Sequence, residues 1–144
     1  MKNPRRAAVL CIADAAYIAG LIDGEGTITL VRKHAHENRH LSVTISSTER
    51  QVLDFVHGTI GVGKITGKRT YKSHHRPAFT YGVYNRQALQ VLKQIDRFLR
   101  TYKAERSKLA LRDYIRLTPR NGKYSPELKA ARLEFERRFL AIKP

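Results

Sequence analysis

Two acids, Asp23 and Glu25, each followed by a glycine, close the small and apolar stretch "YIAGLIDGEG" at residues 17–26. The stretch reads as the end of a helix, where the macrodipole disfavours negative charge by about 0.3–1 kcal/mol. A divalent cation would remove that penalty, and carboxylate and carbonyl oxygens are hard ligands of the kind Mg²⁺ takes. Two such ions held close together suit hydrolysis of a phosphodiester. The plainer reading is that a carboxylate caps or hydrogen-bonds the turn. For Asp23 we take the plainer reading, and for Glu25 the metal.

The rest of the chain is consistent with a phosphate-bearing partner. Its 144 residues hold 28 Lys and Arg against 12 Asp and Glu, a net charge of +16. Such an excess costs self-repulsion, and its usual rationale is a polyanion, above all nucleic acid; the bland alternative is a merely soluble basic protein. With 42% apolar residues the chain is not disordered, and its length suits one domain over 1–144. A single cysteine, Cys11, excludes an intrachain disulfide and a cysteine-based zinc site, and is expected to be a small buried hydrophobe. The opening "MKNPRRAAVLCIADAAY" loosely mimics a signal peptide, but Asp14 interrupts the Ala-x-Ala site. We expect no export signal, no membrane span, and a cytoplasmic or organellar-matrix protein.

The elements that must position the acids follow from periodicity. After the opening helix, "TITLVRK" and "HLSVTISS" alternate as a hairpin. "TERQVLDFVHGTIG" is a helix with Thr48 and Gln51 at capping-box spacing and Gly58 as its stop. "GKITGKR" and "AFTYGVYN" make a second hairpin around the basic loop "TYKSHHR". Asn85 then caps a helix with Leu89, Leu92, Ile95 and Leu99 on one face. A further helix is predicted at roughly 104–117, and Ser125-Pro126 starts a last one carrying Leu128, Ala131, Phe135 and Phe139. The order is αββαββα plus C-terminal helices, an α+β fold with an antiparallel sheet.

One face of that sheet is apolar: Ile28, Leu30, Leu41, Val43, Ile45, Phe79, Tyr81 and Val83 share alternate positions. The other carries Thr27, Thr29 and Lys33, His40, Ser42, Thr44 and Ser46, Lys64, Thr66 and Lys68, Thr80 and Tyr84. Antiparallel sheets often show water one face, but a solvated face rarely avoids acids so completely. Hydroxyls, lysines and a histidine can donate to phosphates and read base edges in a wide groove. We assign this face, with Lys72 and Arg76 of the adjoining loop, to nucleic acid.

The opening helix has two faces. Ile18, Leu21 and Ile22 form an apolar one; Ala16, Gly20 and Gly24 form a small-residue one at i, i+4 and i+8. Glycine inside a helix costs about 1 kcal/mol against alanine, so Gly20 needs a reason, and close approach of another backbone supplies it. No second copy of the pattern exists in the chain. The partner is therefore expected to be the same helix of a second subunit, about a two-fold axis, which gathers the acids of both subunits.

These residues resemble a known family. "YIAGLIDGEG" closely resembles the signature of the LAGLIDADG homing endonucleases, with Ile18 for the first leucine and Gly24 and Glu25 for the Ala-Asp pair. "LSVTISSTERQVLDFVHGTIGVGKI" at 41–65 is similar to their second strand and following helix, and the likeness covers nearly the whole chain. The resemblance implies an αββαββα fold with a saddle-shaped antiparallel sheet. A single signature in a short chain resembles the homodimeric, intron-encoded branch, which cuts long pseudo-palindromic double-stranded DNA with Mg²⁺. It implies that Glu25 holds the metal with the Gly24 carbonyl nearby, and that a catalytic-centre lysine within "DRFLRTYKAERSKLAL" falls on Lys103, otherwise a solvated lysine. Ser46 stands where relatives often have glutamine. The same signature occurs in RNA-binding intron maturases and in non-catalytic DNA-binding regulators, which remain the competing functions.

Other signals are weaker. "IGVGK" lacks the full phosphate-loop spacing and reads as a helix stop and strand start. His34, His36, His74 and His75 lie in basic loops and read as solvated or phosphate-contacting rather than as a metal cluster.

Overall fold

The computed structural model describes residues 6–68 and 76–144. Its elements are α1 (Ile12–Glu25), β1 (Gly26–Val31), β2 (His40–Ser47), α2 (Arg50–Ile60), β3 (Lys64–Lys68), β4 (Ala78–Tyr84), α3 (Asn85–Ile95), α4 (Lys103–Asp113) and α5 (Pro126–Ala141). A 3-10 turn, Asp96–Phe98, follows α3. The four strands form one antiparallel sheet in the order β1-β2-β4-β3. The expected α+β architecture, αββαββα with further helices, is the one observed. Among the described residues no helix is long and apolar enough to cross a membrane.

The helices cover one face of the sheet, as its alternation requires. Ile28, Leu30, Leu41, Val43, Ile45, Tyr81 and Val83 are buried beneath them. From α1 come Ala15, Ile18, Ala19 and Ile22; Leu21, expected in that set, lies on the shoulder and is partly buried. From α2 come Leu53, Val56 and Ile60, and α3 adds Leu89, Leu92 and Ile95 at helical spacing.

Several helix ends differ from expectation. Thr48 and Gln51 make no capping box: α2 begins at Arg50, and the Ser47 hydroxyl accepts the Glu49 N–H at 2.9 Å instead. The helix runs through Gly58 and stops at Gly61, whose φ of 80° is the left-handed C-cap conformation. Asn85 does not cap α3. Its side-chain oxygen accepts the Tyr114 hydroxyl at 2.7 Å, and its own φ is 53°. Cys11 is exposed rather than buried, and its sulfur accepts the Asp14 N–H as N-cap of α1. The helix predicted at 104–117 is α4, which ends at Asp113. On α5 Ser125 caps the first turn and Phe135 and Phe139 are buried, but Ala131 is exposed and the third inward position is Arg132.

Among the described residues three cations are built into the interior. Arg106 donates from Nη1 to the Ile28 carbonyl at 2.9 Å, which satisfies an outward-facing acceptor of the edge strand β1, and from Nε to the Ile142 carbonyl at 2.9 Å. Arg132, 1% exposed, donates to the Glu136 carboxylate at 3.2 Å, to the Leu117 carbonyl at 3.0 Å, to the Thr118 hydroxyl and to the Arg39 carbonyl. The other Glu136 oxygen pairs with Arg39 at 3.3 Å. This network ties α5 to the residue that immediately precedes β2. The third cation is Lys103.

Candidate active site and nucleic-acid interface

The end of α1 is held by groups far away in sequence. No basic residue lies in its last turn, so nothing local offsets the helix dipole or the two acids. Lys103, at the start of α4 and 8% exposed, supplies the charge: its Nζ donates to the carbonyls of Ile22 at 2.8 Å and Asp23 at 2.9 Å. Burial lowers the Lys103 pKa, while attraction to Asp23 and Glu25 opposes that shift. The lysine expected at the catalytic centre is thus not a solvated one. In this structure it caps the helix that carries Glu25.

Asp23 completes the clasp. Its carboxylate accepts the backbone N–H groups of Arg100 at 2.7 Å and Thr101 at 3.2 Å, and the Thr101 hydroxyl at 2.6 Å. This is the turn-bonding role read from the sequence, although its partner Thr101 was missed. A threonine two residues ahead of a helix start was the signal that could have found it. Partial burial raises the Asp23 pKa, but these hydrogen bonds and the Lys103 charge outweigh it and hold the carboxyl below its ordinary 3.8. Because the folded carboxyl titrates below the unfolded one, its stabilisation is complete above that ordinary value. It is lost as pH falls through the folded value. Asp23→Asn should therefore lower the melting temperature at neutral pH, and the gap from the unsubstituted protein should close as titration proceeds below about pH 4. A gap that stays constant in thermal melts across that range would assign the loss to shape rather than charge.

Glu25 is exposed at the same helix end, next to Gly24, also exposed. The next residue, Gly26, has to be glycine for space: an added Cβ would lie 2.7 Å from the Ile22 Cα and 2.9 Å from the Thr44 carbonyl oxygen. That close approach turns the chain from α1 straight into β1. Glu25 therefore stands at the edge of the sheet. Among the described residues no group of three or more His, Cys, Asp or Glu gathers to hold a metal. One chain offers the Glu25 carboxylate and helix-end carbonyl oxygens including that of Gly24. These are hard donors that suit Mg²⁺ but are too few to enclose it, so phosphate, water or a second copy must supply the remainder. The set fits a cation shared with a substrate.

Strand register brings the other site residues to this end. Gly26, the first residue of β1, faces Ile45, so Ser46 follows on β2 at the end of the sheet where α1 enters. The Ser46 hydroxyl is hydrogen-bonded to that of Thr80 at 2.8 Å. Ser47 faces Phe79, and Lys68 faces Ala78, so the last residue of β3 and the first of β4 also lie at the Glu25 end. His40 and Tyr84 lie toward the opposite end of the sheet.

The polar face has no acid among its described residues. Thr27, Lys64 and Thr66 are exposed, and Thr29, His40, Thr44 and Tyr84 half-buried. Two expectations are corrected here. Lys33 is not on the sheet: β1 ends at Val31, paired with His40, and Lys33 is exposed in the connecting loop. Ser42 is on the face but only 3% exposed, so its hydroxyl is not presented to a partner. The neighbouring Tyr84 lies back along β4 with its hydroxyl oxygen where a Gly82 Cβ would be, and its ring stands edge-on to His40, centroids 6.0 Å apart. Gly82 makes room for that ring. Lys72 lies outside the described residues; Lys68 ends β3, and Arg76 is exposed just before β4.

Ala16, Gly20 and Gly24 share an exposed face of α1 with Ile12 and Tyr17. A Cβ added at Gly20 or Gly24 would meet nothing within 4 Å. Nothing among the described residues of one chain therefore explains these glycines.

No protein-family model matches the sequence, and neither does any curated protein. The fold does match solved structures. The homing endonuclease I-CvuI in complex with its target superposes at a TM-score of 0.73 and 17% identity, covering 92% of this chain and 85% of that one. The archaeal intron-encoded homing endonuclease I-Vdi141I complexed with DNA gives 0.60 and 14%, covering 92% and 85%. The LAGLIDADG homing endonuclease I-GzeII in complex with its DNA target gives 0.67 and 16%, with 90% of this chain covering 44% of that one. At these identities the likeness establishes the fold, and the fold is that of the LAGLIDADG homing endonucleases.

Proposed function

We propose, from that shared fold, that the protein is a site-specific endonuclease of double-stranded DNA that works as a homodimer with Mg²⁺ and is encoded within an intron. The observation that supports it most is the placement of Glu25. It is an exposed carboxylate on a helix end clamped by Lys103 and Asp23, where an acid-free sheet face meets a bare small-residue helix face. Two copies paired through Ala16, Gly20 and Gly24 bring two Glu25 side chains together, one for each DNA strand.

Each subunit lays its polar face along the major groove of one half-site of a pseudo-palindromic target. Residues near the Glu25 end, among them Thr44, Lys64 and Thr66, lie over the inner base pairs, whereas His40 and Tyr84 lie over the outer ones. Lys33 and Arg76, exposed in loops, contact phosphate and set register. Glu25 and the Gly24 carbonyl hold the cation, which when bound supplies positive charge to the scissile phosphate and the leaving oxygen. Lys103 and Asp23 keep Glu25 in place, and the Ser46–Thr80 hydroxyl pair orders water beside it.

The test is incubation with a library of randomised long duplexes in Mg²⁺, followed by sequencing of the cut ends. I-CvuI on the I-CreI target in 2 mM Mg left its DNA uncleaved, so a single chosen duplex would not suffice. Expected are cuts in both strands within a site of two-fold symmetry. Tight binding without cutting would select a DNA-binding regulator, and preference for folded RNA a maturase.

Gly20→Leu should abolish both dimer and cleavage, because its side chain has room within one chain but would separate two paired helices. Sedimentation should then give a folded monomer. A stable, active dimer would place the interface elsewhere.

A further inference from the structure

We propose that the outer surface of the helical layer carries a second docking site, for an acidic amphipathic segment of another protein. α3 turns its apolar residues toward β2 and β4. Beside that apolar face, with Arg86, Leu89, Gln90 and Lys93 as its α3 wall, a cavity of about 490 Å³ opens between α3, α4 and the segment after α4. Four cations ring it: Arg6, Arg86, Lys93 and Arg120. No acid is among the described residues that line it. The nearest acid along α4, Asp113, is already paired with Arg112 and Arg116 at 2.9 and 3.1 Å.

The ring is held in place. The Ala7 N–H donates to the Gln90 side chain at 2.7 Å, which fixes Arg6 beside α3, and Arg86 donates to the Thr118 carbonyl at 3.1 Å. The floor is aliphatic, with Leu111 36% and Ile115 57% exposed. Scattered exposed apolar residues are ordinary, but these two lie together inside a cationic ring.

That combination selects the occupant. Phosphates would satisfy the cations but leave the aliphatic floor uncovered, and the described lining holds no aromatic ring on which a base could stack. A second copy of the chain, at +16, lacks the complementary charge. A helix or strand that presents glutamates or aspartates around one or two aliphatic anchors satisfies both features. The aliphatic floor lies on the helical side of the molecule, while Arg86 and Arg120 also border the groove beside Tyr84, at the outer end of the proposed DNA face.

The probe is a fluorescent helical peptide with a leucine stripe flanked by glutamates, titrated against the whole protein and followed by anisotropy. The control peptide has every leucine replaced by serine at equal charge. The leucine peptide should bind at least about tenfold more tightly than the control. Ile115→Ser and Arg120→Glu should each weaken it by about tenfold. Ile115 and Arg120 are exposed, so unchanged thermal melts will confirm that both variants fold. Equal binding of the two peptides, or insensitivity to Ile115→Ser, would overturn the proposal. So would displacement by RNA with the same dependence on Arg120, or self-association of the chain abolished by Ile115→Ser. None of these readouts involves cleavage, so they stand apart from the proposed nuclease activity.

Discussion

Glu25→Gln is expected to abolish DNA cleavage while the protein still folds and binds its target. Glutamine keeps the shape of the side chain but removes the one exposed carboxylate at the end of α1, and with it most of the affinity for a divalent cation. A metal ion in such a site is worth several kcal/mol of transition-state charge stabilisation, so cleavage should fall by roughly a hundredfold to a thousandfold or more. Asp23, Thr101 and Lys103 do not depend on Glu25 for their hydrogen bonds, so the melting temperature should hardly move. Binding measured without metal should hold or tighten, because a carboxylate facing phosphates is repulsive there. Full cutting by the glutamine variant in Mg²⁺ would remove Glu25 from the reaction.

The largest effect on stability is expected from Arg132→Ala. It would leave the Glu136 carboxylate buried with only Arg39 as partner, and would strip donors from the carbonyls of Leu117 and Arg39. Breaking a buried pair from one side costs about 3–5 kcal/mol, a large part of the roughly 5–15 kcal/mol that holds a domain of this size together. Chemical denaturation should show the midpoint collapse, with the soluble yield falling in step. Arg132→Met combined with Glu136→Leu removes both charges and should recover much of the loss. If the single and double variants are equally unstable, the burden lies in packing of the Arg132 side chain over Tyr114 and Phe135 rather than in charge.

The amino-acid sequence by itself determined the elements, their order and the two faces of the sheet. These rest on local physics: strand alternation of period two and helical spacing such as that of Leu53, Val56 and Ile60. The acids at 23 and 25 were legible for the same reason, since their cost at a helix end is a property of the helix alone. The tertiary structure decided what holds that end. Lys103 and Thr101 are about eighty residues from Asp23 in the chain, and no periodicity links them. It also decided which residues of the polar face are available. Ser42 and Thr44 read alike along the strand, yet Ser42 is closed off and Thr44 is not, because burial is set by neighbours across the sheet: Ser42 lies between Thr29 and Tyr84, Thr44 between Thr27 and Gly82. Nothing local marks Arg106 and Arg132 as buried, for the same reason: the carbonyls and the carboxylate around them come from strands, loops and chain ends that meet only when the fold closes.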